Sequence, residues 1–293
     1  MYRNWYRLQW RKGVMHKKAL KFAIAQRKPE LAISAVTNYN AAPTLVLEEA
    51  IKANQNDIVQ LLVDNNADAN AGLTYAINNN KNNFIPMMLN KGAKVTPDQI
   101  AKVASNGDNV LVKTLIDAGG DKNAALAGAM AAKKYPTAEL LVQAGATPDN
   151  IVKAAVDNKQ KSLLIAALDA GADANPGLAP AINAGMNDYA ELLFKAGAKT
   201  TDVNLVNAVL NKRDLVLLKL MLDNQTSPDL GMPVAVATNN TDAVKMLLEK
   251  NASANTPSLI ATAAKNKNIA MIDLLVKTGA DPKECNDGSN KIK

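Results

Sequence analysis

At 293 residues, with 48% hydrophobic, 21% charged and 4% aromatic side chains, the chain is long enough for a sizeable core and far from a disordered composition. One cysteine, Cys285, and one histidine, His16, exclude an internal disulfide framework, a Cys/His zinc site and a Cys–His nucleophile pair. The net charge of +7 is local: of 34 Lys and Arg, nine fall within residues 1–29 beside no acidic residue, leaving 25 against 27 acidic side chains in the remainder.

The chain opens on a basic, aromatic segment, residues 1–15. Four of the eleven aromatics, Tyr2, Trp5, Tyr6 and Trp10, lie in its first ten residues. At helical spacing Tyr2, Tyr6 and Trp10 share one stripe and Arg3, Arg7 and Arg11 the stripe beside it. These seven residues are the candidate partner-docking set. Several roles fit them: docking on a protein, resting at an anionic membrane interface, contacting RNA phosphates while stacking on bases, acting as an import sequence, or folding back over the first repeat. No apolar secretory core is present among these residues. No run of about 18 apolar residues occurs anywhere, so a soluble body without a membrane span is expected.

From about residue 16 to residue 283 the sequence repeats. A Gly-like position recurs as Asn40, Asn66, Gly92, Gly119, Gly145, Gly171, Gly197, Gln225, Asn251 and Gly279, at intervals of 26 to 28 residues. Each of the ten units carries two short apolar stretches at helical spacing, such as Leu45, Leu47, Ala50 and Ile51 followed by Ile58, Val59, Leu61 and Leu62. The spacing predicts helix pairs. Polar turns join the two helices, as in Asn54-Gln55-Asn56-Asp57, Ser105-Asn106-Gly107-Asp108 and Asn239-Asn240-Thr241-Asp242, where Asp, Asn or Thr is expected to cap the second helix. The Gly or Asn after the second helix fits a left-handed C′ position, which disfavours a Cβ and tolerates Asn best among the other residues. Asn66, Gly92, Gly119, Gly145, Gly171, Gly197, Asn251 and Gly279 are therefore read as structural turn residues, and the abundant Asn as turn and cap chemistry. Met87, Met88, Met221, Met246 and Met271 fall on apolar helix positions and read as core. No Pro- or Gly/Ser-rich linker interrupts the series, so one continuous body is expected, followed by a polar tail, residues 284–293.

The motif Asp57-Ile58-Val59-Gln60-Leu61-Leu62-Val63, leading to Asn66-Ala67-Asp68-Ala69-Asn70, resembles the second helix and following turn of ankyrin repeats. The same pattern returns at Leu163 to Asn175 and Ala243 to Asn255. The resemblance spans nearly the whole chain and implies an all-α solenoid of about ten stacked ankyrin-like helix-turn-helix repeats that binds other proteins. Two departures are visible. The Thr-Pro-Leu-His signature is absent, Thr256-Pro257-Ser258-Leu259 being its nearest remnant, and the period averages near 27 where the family has about 33. Only Pro176-Gly177 separates Asn175 from Leu178, which leaves no room for the family's β-hairpin fingers.

The rest of the chemistry is sparse. There is no GxxxxGK[ST] and no GxGxxG, and Ala118-Gly119-Gly120-Asp121 falls in the repeat's turn position. Glu48 and Glu49, or Asp64 and Asp68, read as solvated faces and caps and not as an acid/base pair. No catalytic, cofactor-binding or metal-ligating residue is assigned, and no small-molecule substrate is expected. The function expected is a non-catalytic protein-interaction scaffold or adaptor, a structural subunit of an intracellular assembly such as an organellar complex or a virus particle. A peripheral membrane or ribonucleoprotein component using residues 1–29, and an ankyrin-type effector capturing host proteins, are the alternatives.

Overall fold

A computed structural model describes residues 16–39, 42–256 and 258–282. They form twenty α-helices and two 3-10 turns, and no strand occurs among them. The all-α repeat class is the one observed. The chain divides into two compact units between Ala146 and Thr147, directly after the Gly145 turn. The sequence led to the expectation of one body because no linker marks this point. None is needed, since a repeat contacts only its neighbours and a division at a repeat boundary requires no change in composition.

The first unit holds five helix pairs: α1 (His16–Ala25) with α2 (Pro29–Tyr39), α3 (Thr44–Lys52) with α4 (Asn56–Asp64), α5 (Ala69–Asn78) with α6 (Ile85–Asn90), α7 (Pro97–Asn106) with α8 (Asn109–Asp117), and α9 (Lys122–Ala131) with α10 (Tyr135–Gln143). A 3-10 turn, Asn82–Phe84, precedes α6, whose second residue is Pro86. Proline is compatible with that position because the first helical N–H groups have no intrahelical acceptor.

The second unit also holds five: α11 (Ile151–Asp157) with α12 (Lys161–Asp169), α13 (Asn175–Ala184) with α14 (Asn187–Lys195), α15 (Val203–Asn211) with α16 (Leu215–Asp223), α17 (Met232–Ala237) with α18 (Thr241–Glu249), and α19 (Leu259–Lys265) with α20 (Ile269–Lys277). Within each unit a first helix packs on its own second helix and on the first helix of the next pair.

The core follows from the apolar spacing. In α4, Ile58, Val59, Leu62 and Val63 are buried; in α5, Leu73, Ala76 and Ile77; in α7, Ile100, Val103 and Ala104. Each large aliphatic side chain removed from water in this way contributes about 1.5–3 kcal/mol. Met88, Met221 and Met271 are wholly buried, whereas Met87 and Met246 are half-buried. Small residues on the first helices let them approach closely. The extreme is Gly128 in α9, where a Cβ would lie 2.2 Å from the carbonyl oxygen of Ala101 in α7, so two backbones meet there with no side chain between them.

Candidate binding surface

The seven aromatic and basic residues singled out at the N-terminus, Tyr2 to Arg11, lie outside the described residues, as do Asn40 and Cys285. His16 is the first residue of α1. The described repeat anchors sit on left-handed backbone: Asn66 at φ 64°, Gly92 at 83°, Gly119 and Gly145 at 89°, Gly171 at 86°, Gly197 at 93°, Gln225 at 68°, Asn251 at 66° and Gly279 at 113°. At Gly119 the hydrogen bonds are those of a Schellman cap. Its N–H donates to Ile116 O, and the Gly120 N–H to Leu115 O, each at 2.8 Å.

A second left-handed series lies between the two helices of each pair, and sequence reasoning did not find it. Its members are Arg27, Asn54, Asn80, Gly107, Lys133, Lys159, Gly185, Arg213, Asn239 and Lys267, and from Asn54 onward each precedes an anchor by twelve residues. Half are Lys or Arg, which carry no glycine-like signal. The constant offset from the anchors was the available clue.

From Asn54 onward the residue after each of these positions is the N-cap of the second helix, except Lys81, which is the N-cap of the 3-10 turn Asn82–Phe84. Asp108, Asp214 and Asn240 cap as expected, accepting from the N–H of Leu111 at 3.0 Å, Leu217 at 2.9 Å and Ala243 at 3.2 Å. The turn at Asn54 differs. Gln55 occupies its N-cap without capping, and its amide donates instead to the Ile24 carbonyl of the preceding pair at 2.5 Å.

Asparagine has a use beyond local turns. At the start of the first helices, or in the 3-10 turn Pro228–Leu230 just before one, a side-chain oxygen accepts from a backbone N–H of the next pair's turn: Asn70 from Lys94 at 2.8 Å, Asn175 from Lys199 at 3.0 Å, and Asp229 from Ser253 at 2.7 Å. Thr44 accepts from Asp68 in the same way at 2.9 Å. These brackets tie successive turns together without β-hairpins between them. Ion pairs do the same at the surface, Lys21 with Glu49 at 2.7 Å, Lys91 with Asp64 at 2.5 Å, Lys161 with Asp188 at 2.9 Å and Lys250 with Asp223 at 2.6 Å. The Lys91 ammonium, helped by the Gln60 amide, holds Asp64 below the ordinary carboxylate range. Hydrogen bonding by Lys250 does so for Asp223, and that by Lys161 for Asp188.

Three of the carboxylates considered for acid/base work are engaged with other groups. Asp64 is held by Lys91, Asp68 caps α5 by accepting from the Asn70 N–H at 2.9 Å, and Glu49 pairs with Lys21. Among the described residues no three His, Cys, Asp or Glu side chains are grouped to hold a metal ion, and no helix is long and apolar enough to cross a membrane.

A cleft of about 260 Å³ opens between the inter-helix turns of the third and fourth pairs. Its floor is apolar, made by Ile77, Val103 and Leu111, and its rim is polar, made by Asn80, Asn82, Asn106 and Asp108. Asp108 turns one oxygen to the Leu111 N–H and receives a long hydrogen bond from Asn82 Nδ2 on the other, at 3.3 Å.

A scan against protein-family models matches none, and a comparison with curated proteins finds no relative.

Proposed function

We infer that the chain is a non-catalytic scaffold of ankyrin-like helix pairs, a structural subunit that holds protein partners in a larger assembly. The observation that supports this reading is the repeated construction itself. Helix pairs joined by short turns, with polar turn side chains bonded to the next pair, repeat similar elements along the surface of each unit. The turn chemistry is spent on that construction, through caps, brackets and ion pairs. Isolated apolar side chains remain at the surface, Val110, Val216 and Ile269 being 79%, 69% and 73% exposed near the starts of second helices.

The aromatic and cationic residues of the N-terminal segment supply the second docking element. Buried Trp and Tyr anchors dominate interface energies, whereas rim charges chiefly tune encounter. The test is a pull-down from the native source with the full chain and with a chain lacking residues 1–15, each also melted. Loss of partners with an unchanged melt is the expected result. Recovery of the same partners at equal yield removes the docking role of the segment, and recovery of no specific partner by either chain removes the scaffold. The nine cations without an acid in residues 1–29 favour one competing reading, contact with RNA or anionic lipid. Binding by that route falls steeply with added salt, whereas an apolar protein dock is nearly indifferent to it.

A further inference from the structure

The cleft between the third and fourth pairs is best understood against its neighbours in the first unit. The residue directly after the left-handed position of each inter-helix turn is Gln55 in the second pair, Lys81 in the third, Asp108 in the fourth and Lys134 in the fifth. Where this residue is long, it reaches back over the turn of the preceding pair. Gln55 donates to Ile24 O, and the Lys81 ammonium donates to Asn54 Oδ1 at 3.0 Å. Lys134 lies along the Gly107 turn, so close that a Cβ built on Gly107 would stand 3.3 Å from Lys134 Cδ. In the fourth pair the short Asp108 folds inward to cap its own helix, and the space a lysine stem would cross is left open.

The second unit repeats the Asn–Asp arrangement with a lysine beside it. Asn187 Nδ2 donates to Asp214 Oδ2 at 3.3 Å, as Asn82 does to Asp108, and Asp214 likewise caps its helix through the Leu217 N–H. There the position matching Asn106 is Lys212, whose ammonium donates to the Asn183 carbonyl of the preceding pair. The chain thus lays its own lysine over a preceding turn or helix end at Lys81, Lys134 and Lys212, whereas in the fourth pair Lys102 donates to Asn78 Oδ1 at 2.8 Å and no ammonium is bonded to Asp108 among the described residues.

We propose that the cleft of the third and fourth pairs is a receptor for a lysine or arginine side chain of a partner polypeptide. The methylenes lie on Ile77, Val103 and Leu111, which are at most 9% exposed, and the cationic head meets Asp108 Oδ2 and the amide oxygens of Asn80 and Asn106. The half-buried Asp108 carboxylate forms no ion pair among the described residues; it accepts hydrogen bonds from the Leu111 N–H and from Asn82 Nδ2. The volume, several times the roughly 30 Å³ a water takes in the liquid, suits a stem with its head group. Val110, two residues beyond Asp108 and 79% exposed, offers an apolar foothold to the residue flanking the cation. This site deepens the scaffold reading and rests on it.

The full chain, labelled with nitrogen-15, is titrated with N-acetyl-lysine methylamide and, separately, with N-acetyl-norleucine methylamide, which has a similar stem without the charge. The expected result is saturable shifts at the Leu111 amide and the Asn80, Asn82 and Asn106 side-chain amides with the lysine probe alone, at a dissociation constant on the order of millimolar. Asp108→Asn keeps the helix cap, since Asn caps as well as Asp, and should weaken the response about tenfold. Asp108→Lys, which restores the long residue of the neighbouring pairs, should abolish it. Equal shifts with norleucine, an undiminished response in Asp108→Asn, or no saturation up to the solubility of the probe each overturns the proposal. A null titration leaves the scaffold standing, because the pull-down reads partners held anywhere on the chain, so the two failures are distinguishable.

Discussion

The contact between α7 and α9 in the first unit and that between α11 and α13 in the second are the same element of the repeat built to different tolerances. In the first, Gly128 faces the Ala101 backbone, whose oxygen, carbon and Cα all lie within 2.8 Å of where a Cβ would stand. In the second, Gly177 faces side-chain ends, Val152 Cγ1 at 2.9 Å and Leu193 Cδ2 at 3.0 Å. A backbone cannot yield without moving a helix, whereas a methyl group can turn or shift. The spacing of a repeat stack is thus fixed rigidly where backbone meets backbone and only approximately where side chains intervene.

The largest effect expected in the fold comes from making the two contacts alike. Gly128→Ala should destabilise by about 2–3 kcal/mol, since overpacking of a close contact exceeds the roughly 1 kcal/mol that Ala gains over Gly inside a helix. Gly177→Ala should fall near zero, within about 1 kcal/mol, because the helix gain and a modest repacking cost nearly cancel. Urea unfolding of the full chain checks both, read as a shift of the midpoint at constant slope. Equal losses for the two variants would show that the backbone contact is no stiffer than the side-chain one.

The turns carry the comparison further, because both ends of a pair adopt left-handed backbone with different residues. At Gly171 a Cβ would meet nothing within 4 Å, so only conformation opposes a side chain there. Gly171→Val should therefore cost about 1 kcal/mol or more, and Gly197→Val the same, while Asn66→Gly should be neutral or slightly stabilising. Lys133 holds φ 56° between α9 and α10, a conformation that costs an L-residue roughly 1 kcal/mol or more. Lys133→Gly should accordingly stabilise by up to about 1 kcal/mol, less the added entropy of the unfolded chain. Thermal melts of the three classes rank them, and tolerance of Val equal to that of Gly at position 171 would undo the assignment.

These two turn series also mark what the sequence discloses. Helix pairs were legible because burial imposes a spacing that few residue types satisfy, as at Ile58, Val59, Leu62 and Val63. The anchors were legible because Gly and Asn dominate them. The inter-helix turns were not, since Arg27, Lys133, Lys159, Arg213 and Lys267 accept strain that tertiary packing offsets. Asn70 and Asn175 were legible as turn residues but not as brackets, because a bond to a backbone N–H 24 residues later leaves no mark on the residue that donates. The cleft had no signal of its own; it arises from Asp108 standing where neighbouring pairs carry Gln55, Lys81 and Lys134, a contrast visible only once the turns are superposed as one structural position.

The smallest effect belongs to the ion pairs that join successive second helices at matching places in the two units, Asp64 with Lys91 in the first and Asp223 with Lys250 in the second. Each lysine hydrogen-bonds its carboxylate and lowers its pKa, so the folded chain binds that proton less readily than the unfolded chain does. The sign follows: the contribution is complete above the ordinary aspartate value of about 4 and is lost as the pH falls through the lower folded-state value. Both pairs are exposed, so salt screens them and their weight is slight. Melts of the wild-type chain, Asp64→Asn and Asp223→Asn at neutral pH should show small deficits of similar size in the two variants. Those deficits should shrink on acidification below about pH 4 and also on adding salt at neutral pH. A deficit that persists in acid would place the role of Asp64 or Asp223 in packing and not in charge. A deficit in one variant alone would show that equivalent bridges carry different weight in the two units.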